Sequence, residues 1–173
     1  METEDASRQR DDDPTNLETS RLRSQDCERM NEMTVKVRDK LFAKAFLGVL
    51  DQRNVLSMKN GVCQYRGSDG HKCAIGHLID DDKLAEAYDL NGYGTSVKIL
   101  WDDMRRDVPN MTKHMSFEEL MDLQKTHDRL CKQPIRCRRG EYYKNMKRIA
   151  EEYNFKFPTT RADAIMKKWK QIE

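Results

Sequence analysis

Two cysteines and two histidines lie close together in the stretch GVCQYRGSDGHKCAIGHLIDDD, residues 61–82. Thiolate and imidazole groups bind zinc at about 2.0 to 2.3 Å in tetrahedral sites. The candidate zinc ligands are Cys63, His71, Cys73 and His77. Their spacing, C-x7-H-x-C-x3-H, is not that of the common zinc fingers. We therefore expect no cofactor and two small buried cysteines, as free cysteines usually are, with zinc at these four residues as the alternative.

A second pair, His127 and Asp128 in the tripeptide THD, has the residue types of HD-type metal hydrolases. That chemistry needs further His and Asp ligands, and the other late histidine is His114. Helical periodicity places His127 on one face with Leu120 and Gln124, so we interpret it as a core histidine bonded to a neighbour. A cysteine nucleophile activated by His127 requires a proximity that spacing does not reveal. We assign no catalytic residue.

A basic cluster near the C-terminus has the side-chain types that bind phosphates and stack on bases. Residues 129–173 hold thirteen basic and five acidic residues, a net charge of +8, whereas residues 61–128 hold eight basic and thirteen acidic residues, a net charge of −5. The candidate nucleic-acid-binding residues are Lys132, Arg136, Arg138, Arg139, Lys144, Lys147 and Arg148. The alternative is that the two segments face each other within the protein.

Apolar periodicity predicts a mainly α (α+β) fold of five or six helices packed around one small β-hairpin. The stretch TVKVRDKLFAKAFLGVLDQR, which begins at Thr34, carries apolar residues at three- and four-residue steps, the pattern of an amphipathic helix. The turn GSDG between VCQYR and HKCAI predicts a hairpin at about residues 62–75. The candidate ligands would then be carried by the hairpin and the turn after it.

Local signals set the order of the later helices. Ser116 with Glu119 three residues on is a capping box, and Thr95 or Ser96 is placed to cap the preceding helix. The stretches VPNMTKHMS and KQPIRCRRG are expected to connect helices. The last two helices are predicted in EYYKNMKRIAEEY and RADAIMKKWKQI.

The N-terminal segment differs in composition from the rest of the chain. Residues 1–32 are predicted to be a disordered charged tail, because they contain almost no aliphatic and no aromatic residues. Residues 33–173 are predicted to form a single helical domain. No apolar run approaches the roughly 18 residues of a membrane span, and an odd number of cysteines argues against a disulfide framework. We expect a soluble cytoplasmic protein without a membrane partner.

Two motifs together resemble a known pattern. The first, C-x-Y-R-G-x-D-G-x-x-C-A-x-G-x-L-I, begins at Cys63, and the second, L-Q-x-x-H-D, ends at Asp128. In these residues the chain resembles a family of small uncharacterised proteins of bacteriophages and bacteria, over about residues 41–155. The family pattern has cysteine at the position of His77, an exchange that a metal site accepts more readily than a buried apolar site. The resemblance implies a bacterial host cytoplasm.

The resemblance and the missing catalytic set lead to one functional expectation. We expect a non-enzymatic accessory protein of phage origin that binds a host or phage protein to inhibit or regulate it. Two alternatives stay open. The first is a nucleic-acid-binding protein that uses the basic segment 129–173, and the second is an unrecognised metal-dependent or Cys/His-dependent enzyme.

Overall fold

The computed structural model describes residues 14–52, 55–59, 62–67, 70–90 and 96–170. The chain divides into two units, Met1–Val35 and Lys36–Glu173. Of the expected disordered tail, residues 1–13 lie outside the described residues and the remainder belongs to a helix. The disorder of the tail stays a prediction.

Helices account for most of the described part of the chain. They are α1 (Pro14–Leu50), α2 (Asp82–Leu90), α3 (Val97–Asp107), α4 (Pro109–His114), α5 (Phe117–Arg129), α6 (Ile135–Glu152) and α7 (Thr159–Lys170). A 3₁₀ turn, Leu130–Lys132, follows α5. The two strands, β1 (Met58–Lys59) and β2 (Val62–Cys63), have two residues each and pair antiparallel. The prediction of a mainly helical fold is therefore confirmed.

The hairpin predicted at about residues 62–75 is not confirmed. Its first residues, β2, pair with the preceding β1 and not with the segment after the GSDG turn. Residues 74–78 of that later segment form turns, in which the N–H of His77 donates to the carbonyl oxygen of Cys73 at 3.0 Å.

Arg66 stabilises the turns that follow the GSDG sequence. Its guanidinium donates hydrogen bonds to the carbonyl oxygens of Tyr65, Gly76 and Ile79 at 3.1, 2.6 and 2.7 Å. Three backbone carbonyls that belong to no strand ladder are satisfied by this one side chain. A Cβ atom at Gly76 would overlap the carbonyl oxygen of Tyr65, so the close approach requires glycine.

The apolar face of α1 lies at the centre of the core. The predicted stripe is confirmed for five fully buried residues, Phe42, Ala45, Phe46, Val49 and Leu50. Phe42 stacks on Phe155 with ring centroids 4.6 Å apart, and Phe46 lies 5.8 Å from Tyr142 of α6. Val35, which the stripe also included, is exposed.

Two helices begin at the predicted caps, and a third helix begins where no helix was predicted. Ser116 and Glu119 form the predicted capping box of α5, and Ser96 caps α3 by accepting a hydrogen bond from the N–H of Lys98. Helix α4 lies within the stretch that was expected to be a loop. Pro109 is its first residue, a position where the fixed φ of proline suits a helix and its missing N–H costs nothing.

Helix α6 begins at Ile135, six residues before its predicted start at Glu141. The extra turns bring Arg139 into the protein interior, where it donates to the carbonyl oxygens of Leu50 at 3.4 Å and Gln52 at 3.0 Å. Carbonyl groups at the C-terminal end of a helix have no partner within the helix. Arg139 thus caps α1, a tertiary contact that the local sequence does not indicate.

Candidate metal centre

Three potential metal ligands lie together where β2 approaches the end of α5. The sulfur of Cys63 lies 3.3 Å from Nδ1 of His127. A carboxylate oxygen of Asp128 lies 3.4 Å from the same nitrogen. The three ligand atoms are all within 4.8 Å of one another. These residues and Cys73, whose thiol is hydrogen-bonded to that of Cys63, are called the cysteine–histidine cluster below.

A buried backbone contact orients the imidazole of His127. The ring is fully buried, and its Nε2 accepts a hydrogen bond from the N–H of Ser57 at 3.4 Å. Ser57 is itself held in place, because its hydroxyl accepts from the N–H of Gly67 at 2.8 Å and donates to the carbonyl oxygen of His71 at 2.9 Å. A neutral imidazole that accepts at Nε2 carries its hydrogen on Nδ1. Nδ1 therefore donates toward the thiol and the carboxylate.

The two cysteines of the cluster are in a strongly desolvated environment. Cys73 is almost fully buried, and its sulfur accepts a hydrogen bond from the N–H of Gly76 at 3.3 Å. The hydrogen bond to Cys73 raises the pKa of Cys63, and burial and the negative charge of Asp128 raise that pKa further. Cys63 is therefore a neutral thiol at physiological pH when nothing else binds it.

This arrangement does not favour a cysteine nucleophile. A reactive cysteine needs a lowered pKa and a base that accepts its proton. The pKa of Cys63 is raised, and Nδ1 of His127 already holds a hydrogen when Nε2 accepts from Ser57. The contact between Cys63 and His127 therefore places an N–H donor against a neutral thiol, whereas a catalytic pair needs a base against the thiol.

The spacing of the ligand atoms fits a tetrahedral metal ion. With bonds of about 2.0 to 2.3 Å, ligand atoms on a tetrahedral zinc are about 3.3 to 3.8 Å apart. The sulfur–nitrogen distance of 3.3 Å and the nitrogen–oxygen distance of 3.4 Å correspond to two edges of such a tetrahedron. The Asp128 side chain is 42% exposed, which gives an ion access from solvent.

Of the four ligands predicted from the sequence, the two cysteines are brought together. The imidazole of His77 packs against Gly48 of α1, and its Nε2 lies 3.2 Å from Oε1 of Gln52. Burial, with the nearby positive charges of Lys72 and Arg66, lowers the pKa of His77 to about 4. Among the described residues, the ligand group that contains Cys63 does not include His77, His71 or Cys73.

The sequence interpretation did not join His127 and Asp128 to the two cysteines. Cys63 and His127 are 64 positions apart, so no local spacing links them. The available signal was that two motifs occur together in one sequence. The first motif contains both cysteines, and the second ends in His127 and Asp128 on a buried helix face. His127 is a core histidine bonded to its neighbours, as predicted, and those neighbours are metal-ligand types.

The seven candidate nucleic-acid-binding residues have different environments. Five are exposed: Lys132, Arg136, Lys144, Lys147 and Arg148. Arg138 is half-buried and donates to the carbonyl oxygen of Gln133 at 3.0 Å. Arg139 is buried, with its guanidinium 4.5 Å from the centre of the Trp169 ring. Tyr142 is fully buried, so its ring does not offer a stacking surface for a base.

Two further findings concern the possibility of a membrane span and the comparison with known proteins. Over the described ranges, no helix is both long enough and apolar enough to cross a membrane. The resemblance to the phage and bacterial family rests on the residue pattern and stays a prediction. No protein-family model, no curated protein and no solved structure matches this chain.

Proposed function

We propose that this chain is a non-enzymatic accessory protein whose helical domain is stabilised by one zinc ion and which acts by binding another protein. One observation carries the proposal: the ligand atoms of Cys63, His127 and Asp128 converge within 4.8 Å. Cys73, hydrogen-bonded to Cys63, lies outside that group of three and would supply a fourth ligand only after a shift of its thiol toward the other ligand atoms. Four protein ligands would then close a tetrahedral site, as is typical of structural zinc.

Zinc would resolve the unfavourable state of the buried thiols. A thiol that coordinates zinc gives up its proton, and the charge of the ion compensates the thiolate that burial otherwise disfavours. The N–H of Gly76 already donates to the sulfur of Cys73, and hydrogen bonds to ligand atoms stabilise metal sites. The raised pKa of Cys63 keeps this thiol protonated, so a bound cation would have to displace its proton.

Metal binding through Nδ1 has one identifiable cost. The hydrogen of the imidazole must move to Nε2, where it would face the N–H of Ser57 as a second donor. The N–H of Ser57, which now bonds Nε2 at 3.4 Å, would be left buried without this acceptor, at a cost of about 1 to 3 kcal/mol. Structural zinc contributes about 10 to 16 kcal/mol in small zinc-binding peptides, so the zinc term is much larger.

The accessory role follows from the closed site and from the resemblance. A catalytic zinc keeps one position open for water or substrate, and the site would have no open position once Cys73 joined the three converging ligands. A helical domain with such a centre acts most simply through its surface. The resemblance to phage and bacterial proteins supports a host or phage protein as the partner and the bacterial cytoplasm as the location.

Metal analysis of untagged protein tests the zinc centre. We expect about one molar equivalent of zinc by mass spectrometry, and its loss in Cys73→Ser and His127→Asn. Cys137→Ser is the matched control, because Cys137 is exposed. A chelator should lower the unfolding temperature of the wild type and leave that of Cys73→Ser unchanged. Protein that contains no zinc and gains no stability when zinc is added would contradict the proposal.

The binding role is tested separately in bacterial cells. We expect a partner protein to copurify with the wild type and with Cys137→Ser at equal yield, and to be lost with Cys73→Ser. Equal copurification with all three proteins would show that the binding surface does not depend on the zinc centre.

Nucleic-acid binding is a second candidate, favoured by the five exposed basic residues at and before α6. If it occurs, replacing Lys144, Lys147 and Arg148 with Gln should weaken binding to duplex DNA. The salt dependence should also become less steep, because each phosphate contact adds about 0.9 to the log–log slope. Binding that is independent of salt would exclude this role for the cluster of charges.

A further inference from the structure

A cavity of about 620 Å³ lies between α1, α7 and the turns around His77, away from the cysteine–histidine cluster. Its lining includes Lys40, Lys44, Gln52, His77, Arg161 and Ile165, and it is called the cationic cavity below. Small-molecule sites in proteins have volumes of roughly 300 to 1,000 Å³. The cavity is therefore large enough for an organic ligand rather than a single ion.

Three basic side chains give the cavity an excess of positive charge. Lys40 and Lys44 come from one face of α1, and Arg161 comes from α7. Lys44 forms an ion pair with Asp80, whereas Lys40 and Arg161 form none with any residue that the structure describes. The acidic residue in the lining, Asp51, is paired with Lys168 at 2.8 Å.

A buried amide at the end of α1 provides an unused hydrogen-bond donor. Oε1 of Gln52 accepts from the N–H of Lys72 at 2.6 Å and lies 3.2 Å from Nε2 of His77. The backbone donor fixes which end of the amide is oxygen. Nε2 of Gln52 is then the donor end, and it is buried without a hydrogen-bond partner in the described part of the chain.

His77 and Gly48 hold this amide in position. Because Oε1 of Gln52 is an acceptor, the imidazole donates from Nε2, and its pKa, lowered to about 4 by burial, keeps the ring neutral at physiological pH. The ring fits against α1 only because residue 48 lacks a Cβ atom, which would otherwise overlap it. His77 therefore acts as a positioning residue for the donor rather than as a ligand-binding charge.

We propose that the cationic cavity binds the phosphate group of a small phosphorylated molecule. Arg161 and Lys40 would neutralise the two negative charges of a phosphate monoester, and a rotation of the Gln52 side chain would let its buried Nε2 donate to one of the phosphate oxygens. Guanidinium groups suit phosphate because they offer two parallel N–H donors. Ala43, Leu47 and Ile165 supply apolar surface for the organic part of the ligand.

Titration of the full chain with phenyl phosphate tests the proposal. This probe carries a phosphate monoester on an apolar ring, and we expect saturable binding at millimolar or lower concentration. Benzoate, which carries one negative charge, should bind at least about tenfold more weakly, since it loses a charge-assisted hydrogen bond. Benzoate binding as tight as phenyl phosphate, or no saturable binding of phenyl phosphate, would overturn the phosphate assignment.

Three variants assign the binding to this cavity. Arg161→Gln and Lys40→Gln alter exposed side chains and should each weaken phenyl phosphate binding by about tenfold. Gln52→Glu retains the oxygen that accepts from Lys72 but replaces the donor with a negative charge, and should abolish binding. Circular dichroism should show each variant folded.

Lys167→Gln is the matched control, because Lys167 is exposed on α7 and does not line the cavity. It should bind phenyl phosphate as the wild type does. Equal weakening by Lys167→Gln and Arg161→Gln would mean that only the general positive charge of α7 matters, and the proposal would fail. Binding of a single-stranded oligonucleotide without binding of phenyl phosphate would also overturn it, in favour of nucleic acid. None of these outcomes depends on zinc.

Discussion

The cysteine–histidine cluster and the cationic cavity hold their polar groups under opposite conditions. In the cluster, His127 is fully buried and its two nitrogens face a backbone donor, a thiol and a carboxylate of the same protein. In the cavity, Lys40 and Arg161 are exposed and Nε2 of Gln52 has no partner among the described residues. Buried polar groups need partners within the protein or from a bound ion, whereas water satisfies exposed charges until a ligand arrives.

The two sites also differ in the atoms that surround the glycine beside each of them. At Gly76, near Cys73, an added Cβ atom would meet backbone atoms of Tyr65, which have little freedom to move. At Gly48, beside the cavity, it would meet the imidazole of His77, a side chain that is able to rotate. The turn around Cys73 therefore has less room for a substitution than the wall of the cavity at Gly48.

The largest expected effect is that of Gly76→Ala. Because the new methyl group overlaps the carbonyl oxygen of Tyr65, we expect a loss of about 3 kcal/mol or more of unfolding free energy in urea titrations. Gly140→Ala is the matched control. Gly140 lies within α6 with open space at its Cβ position, so alanine should stabilise the protein by about 0.5 to 1 kcal/mol. Similar destabilisation by both variants would contradict the rigidity of the turn around Cys73.

The elements that the sequence predicted best are those with long apolar periodicity and local caps. The buried face of α1 and the capping box of α5 depend on residues within a few positions of each other. The predicted hairpin is not confirmed, because β2 pairs with β1 and Arg66 holds the carbonyl of Gly76 in a turn; α6 begins earlier than predicted, and its first turns carry Arg139 to the end of α1. Both arginines act through tertiary contacts.

The candidate metal centre was predictable only in part, because it also depends on tertiary contacts. Cys63 and Cys73 lie in one short stretch, and their pairing as possible ligands followed from spacing. Their contact with His127 and Asp128 depends on how α5 packs beside β2. His77, the ligand that spacing favoured, is held on α1 by Gln52.

A second, smaller effect concerns the protonation of His77. Burial lowers the pKa of His77 from 6.5 to about 4 in the folded state, so the unfolded chain binds the proton more tightly. The stability is fully present above about pH 6.5 and is lost as the pH falls through that value toward 4. We expect a loss of about 2 kcal/mol between about pH 7 and pH 5 from this group.

The variant His77→Gln separates this contribution from the titration of carboxylates. Glutamine retains an N–H donor for Gln52 but does not titrate. The difference in unfolding free energy between wild type and variant should therefore shrink as the pH falls from about 7 to 5. An unchanged difference would mean that His77 is not held in its neutral form beside α1.

The smallest expected effect on stability is that of Lys168→Met at the edge of the cationic cavity. Lys168 pairs with Asp51 at 2.8 Å, and both side chains are about half exposed, at 55% and 49%. Exposed ion pairs contribute about 0 to 1 kcal/mol, so urea titrations should show a change of about 0.5 kcal/mol or less. Methionine also removes the ammonium that lies 5.2 Å from the centre of the Trp169 ring, a contact that is weak at an exposed site.

The same substitution should nevertheless alter the cavity. Without Lys168, the negative charge of Asp51 in the lining is no longer compensated. Phenyl phosphate binding should weaken about two- to fivefold at low ionic strength, and the difference should vanish near 1 M salt, where the Debye length is about 3 Å. Lys167→Met on the same exposed part of α7 serves as the control and should leave binding unchanged. If Lys168→Met changed stability strongly but binding not at all, the pair would be structural, and the contrast between a buried cluster and a solvent-exposed, ligand-dependent cavity would fail at this residue.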